Sequence, residues 1–121
     1  MTDIPPPRLR FRLLLGRDVA IGPGKADLLA ALAETGSISA AARSMGMSYK
    51  KAWYLLDTMN RCFREPLIEA AKGGRGRGGA HLTPMGEQVL ALYRAIEQKA
   101  AGAVTDDLAA FAVLVLDEPG L

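Results

Sequence analysis

The stretch from Ser37 to Phe63 most constrains what this chain can fold into, because two helical patterns stand there almost end to end. Ile38, Ala41, Ala42 and Met45 recur at i, i+3, i+4 and i+7, which places them on one face of a helix. Gly46 closes that pattern and Met47 is the linker. Ser48 then opens a second pattern of Ala52, Leu55, Leu56, Met59 and Phe63. Ser37 and Ser48 sit where an N-cap hydroxyl accepts a hydrogen bond from an otherwise unpaired first-turn N–H. Two helices joined by a three- or four-residue turn containing glycine have the layout of a helix-turn-helix. Ala40, Ala41 and Ala42 are small enough to let the two helices cross closely. A plain helical corner shares this spacing, so the flanking sequence has to separate the two readings.

Upstream, Leu9, Phe11, Leu13 and Leu15 alternate with Arg8, Arg10, Arg12 and Leu14, the period of a half-buried strand that Gly16 ends. Gly22-Pro23-Gly24 breaks the chain before a helix expected over 25–35, with Leu28, Leu29 and Leu32 as its apolar stripe and Gly36 as its stop. Downstream, Pro66 ends the helix that Ser48 opened. Leu67 to Ala71 reads as a short strand and Ala80-His81-Leu82 as its return. Between them lies Lys72-Gly73-Gly74-Arg75-Gly76-Arg77-Gly78-Gly79, a long basic tip of the kind a wing needs. Thr83 and Pro84 then stand as N-cap and first residue of a last helix, striped by Met85, Val89, Leu92, Tyr93, Ile96 and Ala100. It is expected to reach Ala100 or beyond, with Gly102 as a point of interruption. The segment Asp106 to Leu116 fits either more helix or a terminal strand, and Glu118 to Leu121 is expected to fray.

At 121 residues the chain has room for one domain. Its net charge of +2 hides an uneven distribution. Residues 43–77 carry eight Lys/Arg against three Asp/Glu, whereas residues 78–121 carry two against six. A basic middle third ahead of an acidic end fits one polyanion-binding face, and also fits ordinary surface charge. One cysteine, Cys62, and one histidine, His81, leave no disulfide, no metal cluster and no catalytic triad to assemble, so an enzyme is not expected. Cys62 reads as a packing residue. The polar, proline-rich start lacks a signal peptide's apolar core, and the longest apolar run, Leu108 to Leu116, is too short to span a bilayer. A soluble, cytoplasmic protein is expected, with no cofactor.

On a helical wheel, the core residues of the Ser48 helix leave Lys50, Tyr54, Asp57 and Arg61 pointing outward, flanked by Tyr49 and Trp53 on one side and Lys51 on the other. The N-terminal end of a recognition helix enters the major groove, where lysine donates to guanine edges or phosphate. Ser48 and the helix N-terminus can hold a phosphate through N–H groups and the dipole. Trp53 suits half-buried packing and DNA contact alike. In the wing, glycine permits close approach and Arg75 and Arg77 neutralise phosphate or probe a minor groove. Gly74-x-Gly76-x-x-Gly79 also matches a dinucleotide-binding pattern, but no long helix opens at the third glycine, so that reading fails.

Taken in order, Ser37-Ile38-Ser39, Gly46-x-Ser48-Tyr49-Lys50-x-Ala52-Trp53, Met59-Asn60, Leu67-x-Glu69, the glycine wing, Leu82-Thr83, Gly86 and Leu92-Tyr93 resemble the DNA-binding domain of the ModE-type molybdate-responsive regulators. More distantly they resemble the winged helix of LysR-type regulators. The match covers about residues 9 to 100. The resemblance implies a mainly α (α+β) fold: a winged helix-turn-helix over 9–104 with a long C-terminal dimerisation helix, a flexible start over 1–8 and a tail over 105–121. It implies a homodimer on an imperfect palindrome of double-stranded DNA. The expected DNA-binding set is Ser37, Ser48, Tyr49, Lys50, Lys51 and Trp53 with Lys72, Arg75 and Arg77 of the wing. The expected dimer interface is Leu28, Leu29 and Leu32 with Val89, Leu92, Tyr93 and Ile96. The family's molybdate-binding modules have no counterpart in this sequence, so no oxyanion sensing of its own is expected; a constitutive DNA-binder, a partner for a separate sensor protein and an antagonist forming mixed dimers all fit. The competing expectation is a non-catalytic interaction module that docks on another regulator through Leu108 to Leu116.

Overall fold

The computed structural model describes residues 5–16, 19–70 and 79–115. In chain order the elements are β1 (Leu13–Leu15), β2 (Val19–Ile21), α1 (Pro23–Thr35), α2 (Ile38–Ser44), α3 (Tyr49–Asn60), β3 (Ile68–Ala70), β4 (Ala80–Leu82), α4 (Pro84–Ala103) and α5 (Thr105–Leu114). Helices α1, α2 and α3 pack on one another, β3 and β4 form the base of the wing, and α4 lies across α1. This is a winged helix-turn-helix of the α+β class.

Each boundary has a local cause. Gly22 is the N-cap of α1 and Pro23 its first residue, so the helix starts two residues before the expected Lys25. Proline is well placed there, because the N–H it lacks would have had no helical partner. Gly36 ends α1 in the left-handed region, φ 69°, and its N–H donates to the Leu32 carbonyl at 2.8 Å. Ser37, Ser48 and Thr83 all cap as expected, accepting from the backbone N–H of Ala40, Lys51 and Gly86. Helix α3 stops at Asn60, so Phe63 lies past its end while still packing against the core.

The first strand is shorter than the alternation from Leu9 predicts. Only Leu13–Leu15 pair, antiparallel to Val19–Ile21 with Leu14 opposite Ala20. Residues 8–12 belong to no strand and are tied to α4 through Phe11. There the Tyr93 hydroxyl donates to the Phe11 carbonyl at 2.9 Å, and the two rings stack with centroids 5.3 Å apart. Burial raises the Tyr93 phenol above its ordinary value, with the Glu97 carboxylate adding to the effect. Beyond α4 the segment with two open readings is helical, as α5.

The core is built from Leu28, Leu29, Leu32, Met59, Leu67 and Tyr93, all essentially without exposed surface. This corrects four of the seven residues expected at the dimer interface. Leu28, Leu29, Leu32 and Tyr93 are consumed by the subunit's own interior, and a side chain with no exposed area cannot touch a second subunit. Leu92 and Ile96, at 55% and 40% exposure, remain available, and Val89 is half-buried.

Candidate nucleic-acid interface

The turn between α2 and α3 is held tightly by its own backbone. The Met45 N–H donates to the carbonyls of Ala41 and Ala42, the Gly46 N–H to Arg43, and the Met47 N–H to Ala42, at 3.0–3.1 Å. Gly46 takes φ 68°, a conformation that a side chain disfavours. Met47 and Ser48 then turn the chain into α3, whose first turn is fixed by the Ser48 hydroxyl accepting from the Lys51 N–H at 3.1 Å.

Burial of Ala52, Leu56 and Met59 sets the rotation of α3. With that face inward, Ser48, Tyr49, Lys50 and Lys51 are all exposed at the N-terminal end, and Trp53 and Tyr54 are exposed one turn later. The first turn of α3 holds no acidic residue. Two lysines and the positive end of the helix dipole therefore share one protruding surface. Asp57, the acid on this helix, lies two turns further along and is paired with Arg61. The carboxylate's hydrogen bond and charge hold the Arg61 guanidinium above its ordinary value. Arg43, in the last turn of α2, is exposed as well.

Trp53 is packed on one side and open on the other. One side lines a cleft with Leu56, Asn60, Ile68 and Ala80, while half of its surface stays open. Ser37 is placed differently from the others. It is half-buried, its hydroxyl accepts from the Ala40 N–H at 3.1 Å, and its backbone bridges to Gly79 at the wing base. Its visible role is to tie the wing to the helix pair. Lys72, Arg75 and Arg77 lie outside the described residues.

Three residues that fix the wing base escape notice as site residues in the sequence. The Asn60 side-chain oxygen accepts from the backbone N–H groups of Leu67 and Ile68, at 2.7 and 3.1 Å, binding the end of α3 to the start of β3. The Thr83 hydroxyl accepts from the Gly86 N–H and donates to the Pro66 carbonyl at 2.6 Å, closing the hairpin from the other side. Gly86 packs so closely that a Cβ there would collide with the Leu67 carbonyl. Met59-Asn60 and Gly86 stand in the motif that carries the family resemblance, which is the only sequence signal for them. His81 and Glu69 face each other across β3 and β4 on the exposed side of the hairpin.

Residues 25–87, from α1 through the first turn of α4, match the family described as bacterial regulatory helix-turn-helix protein, lysR family. The molybdenum-pterin-binding protein MopB of Rhodobacter capsulatus is 52% identical over 77 residues, which is 64% of this chain and 28% of that protein. The transcriptional regulator ModE of Yersinia pestis is 46% identical over 88 residues, 70% of this chain and 34% of the relative. The DNA-binding transcriptional dual regulator ModE of Escherichia coli K12 is 40% identical over 98 residues, 78% of this chain and 37% of the relative. The chain thus spans about a third of the length of these relatives. By fold, by the exposed basic end of α3 and by these matches, the chain belongs to the lysR family of bacterial regulatory helix-turn-helix proteins, as a ModE-like winged helix-turn-helix.

Proposed function

We propose that this DNA-binding regulator domain acts as a homodimer that reads an imperfect palindrome, each α3 entering the major groove of one half-site. The observation that carries the reading is the N-terminal end of α3, where Ser48, Tyr49, Lys50 and Lys51 stand exposed with no acid in the turn. Lys50 and Lys51 supply donors for guanine edges and phosphates, and Tyr49 and Trp53 supply apolar and polar contacts beside them. Lys72, Arg75 and Arg77 of the wing then grip the flanking backbone. Two copies related by a two-fold axis place their recognition helices one helical turn, about 34–36 Å, or a multiple of it apart. The site of action is the cytoplasm, where bacterial DNA lies.

The names of the relatives connect them to molybdenum and to transcription regulation. Those names support a role for this chain in molybdenum-linked gene control. The test is selection from a random duplex pool at about 150 mM salt, with and without molybdate, since affinity for DNA has meaning only at a stated ionic strength. An enriched palindrome in both arms is the expected result. No enrichment in either arm overturns the reading and favours a docking module instead.

A further inference from the structure

The cleft beside Trp53 lies between the two elements proposed to hold DNA. Helix α3 contributes Trp53, Leu56 and Asp57 to it, and the wing base contributes Ile68, Ala70 and Ala80. Leu56, Ile68 and Ala80 are buried, whereas Ala70 is exposed at the mouth. The volume is about 120 Å³. An apolar cavity of about 150 Å³ takes up benzene, so this cleft suits a ligand of about five heavy atoms. Most of its wall is hydrocarbon, which calls for an apolar body on that ligand.

Asp57 gives the cleft its charge. The Nε and Nη2 groups of Arg61 both donate to the same carboxylate oxygen, Oδ2. The second oxygen, Oδ1, has no hydrogen-bond donor among the described residues. It also keeps contact with solvent, because among the described residues no fully buried side-chain polar atom lacks a partner. The Arg61 side chain is 70% exposed, so water screens its charge and the carboxylate is only weakly neutralised. The Asn60 amide in the same cleft is committed at both ends. Its oxygen accepts from the Leu67 and Ile68 N–H groups, and its nitrogen donates to the Ile68 carbonyl at 3.4 Å. An uncommitted anionic acceptor beside an apolar wall selects for a cationic donor on a hydrocarbon body.

We propose that this cleft binds a small aliphatic ammonium compound, its charged head on Oδ1 of Asp57 and its body against Trp53, Leu56 and Ile68, and that binding there loosens the grip on DNA. The same carboxylate turns away anions, so the ligand differs in class from an oxyanion. The site follows from the cleft itself, whereas its effect on DNA rests on the regulator reading. That effect arises because a ligand seated between α3 and the wing base braces apart two elements that reach one duplex together. The coupling is reciprocal: the factor by which the amine weakens DNA binding is the factor by which DNA weakens the amine.

Trp53 is the single tryptophan of the chain, so its fluorescence reads this cleft directly. The probes are isobutylamine, protonated at about pH 7 as lysine is, its uncharged counterpart isobutanol, and the anions isobutyrate and molybdate. Each is titrated into the full chain at constant ionic strength, and circular dichroism checks that every variant keeps its fold. Isobutylamine is expected to give a saturable change, isobutanol to bind at least about tenfold more weakly, and the anions to give none. Asp57→Asn is expected to bring isobutylamine down to the level of isobutanol and to leave isobutanol where it was, a split that a purely structural role does not produce. Ala70→Leu, which fills the exposed mouth, is expected to abolish both. A response that does not saturate, or a preference for the amine that survives Asp57→Asn, overturns the site. For the coupling, saturating isobutylamine is expected to weaken binding of the selected palindrome by about fivefold or more. Unchanged affinity for the palindrome overturns the coupling and leaves the site and the regulator reading standing. A chain that binds the amine but no duplex overturns the regulator reading, and the coupling with it, and leaves the site standing.

Discussion

Lys50 is the residue proposed to carry most of the sequence specificity. It stands exposed in the first turn of α3, beside Ser48 and ahead of the first acid on the helix. Lys50→Ala is expected to cost about 1–3 kcal/mol of binding to the preferred site and to relax preference at one base position, read by titrating matched and mismatched duplexes. An equal loss on every duplex would reassign Lys50 to phosphate. Gly86 is the counterpart for stability. Gly86→Ala drives a methyl group into the Leu67 carbonyl, and backbone cannot move aside as a flexible side chain can. A loss of about 1–3 kcal/mol is expected in urea unfolding, as for overpacking elsewhere, and an unchanged midpoint would contradict the contact. The three caps were legible in the sequence because a cap needs only its own residue and the next turn. Asn60 was not, since its partners at Leu67 and Ile68 come within reach only after the chain has turned back at Pro66. Leu28, Leu29 and Leu32 show the opposite failure. An apolar stripe records that a face is covered, and carries no mark of whether its own subunit or another one covers it.

At the scale of elements, the helix-turn-helix was readable because helical period, two serine caps and one glycine all agree over a short span. The strands were less so. Alternation from Leu9 to Leu15 continues past the part that pairs, because the Phe11 side chain is held by Tyr93 and not by a neighbouring strand. Val19–Ile21 is too short to show a period of its own. Helix α5 stayed ambiguous for want of a cap: Val104 precedes it, with no side chain to accept from the first turn. The wing is the element whose contribution is most directly measurable. Replacing Arg75 and Arg77 by alanine is expected to flatten the dependence of log affinity on log salt by roughly two ions per subunit, measured by anisotropy at several salt concentrations. An unchanged slope would place the wing off the DNA.

At the scale of the molecule, function follows from where the elements put charge and apolar surface. Of the basic residues of the middle third, Lys50 and Lys51 stand exposed in the first turn of α3 and Arg43 in the last turn of α2, whereas Arg61 sits at the far end of α3, paired with Asp57. Among the described residues, the acids of the last third are divided between α4, where Glu97 pairs with Arg94, and the first turn of α5. Sequence could mark the end proposed to face DNA because the motif order singles it out. It could not separate the two ends of α4, because which of its residues face the core depends on how the hairpin and residues 8–12 fold back upon it. The most direct test of the central claim is a titration of the chain, at about 150 mM salt, onto a duplex bearing the selected palindrome and onto a scrambled duplex of the same composition. The account predicts that the palindrome binds at least about 10³ times more tightly. Equal affinity for the two duplexes would contradict it.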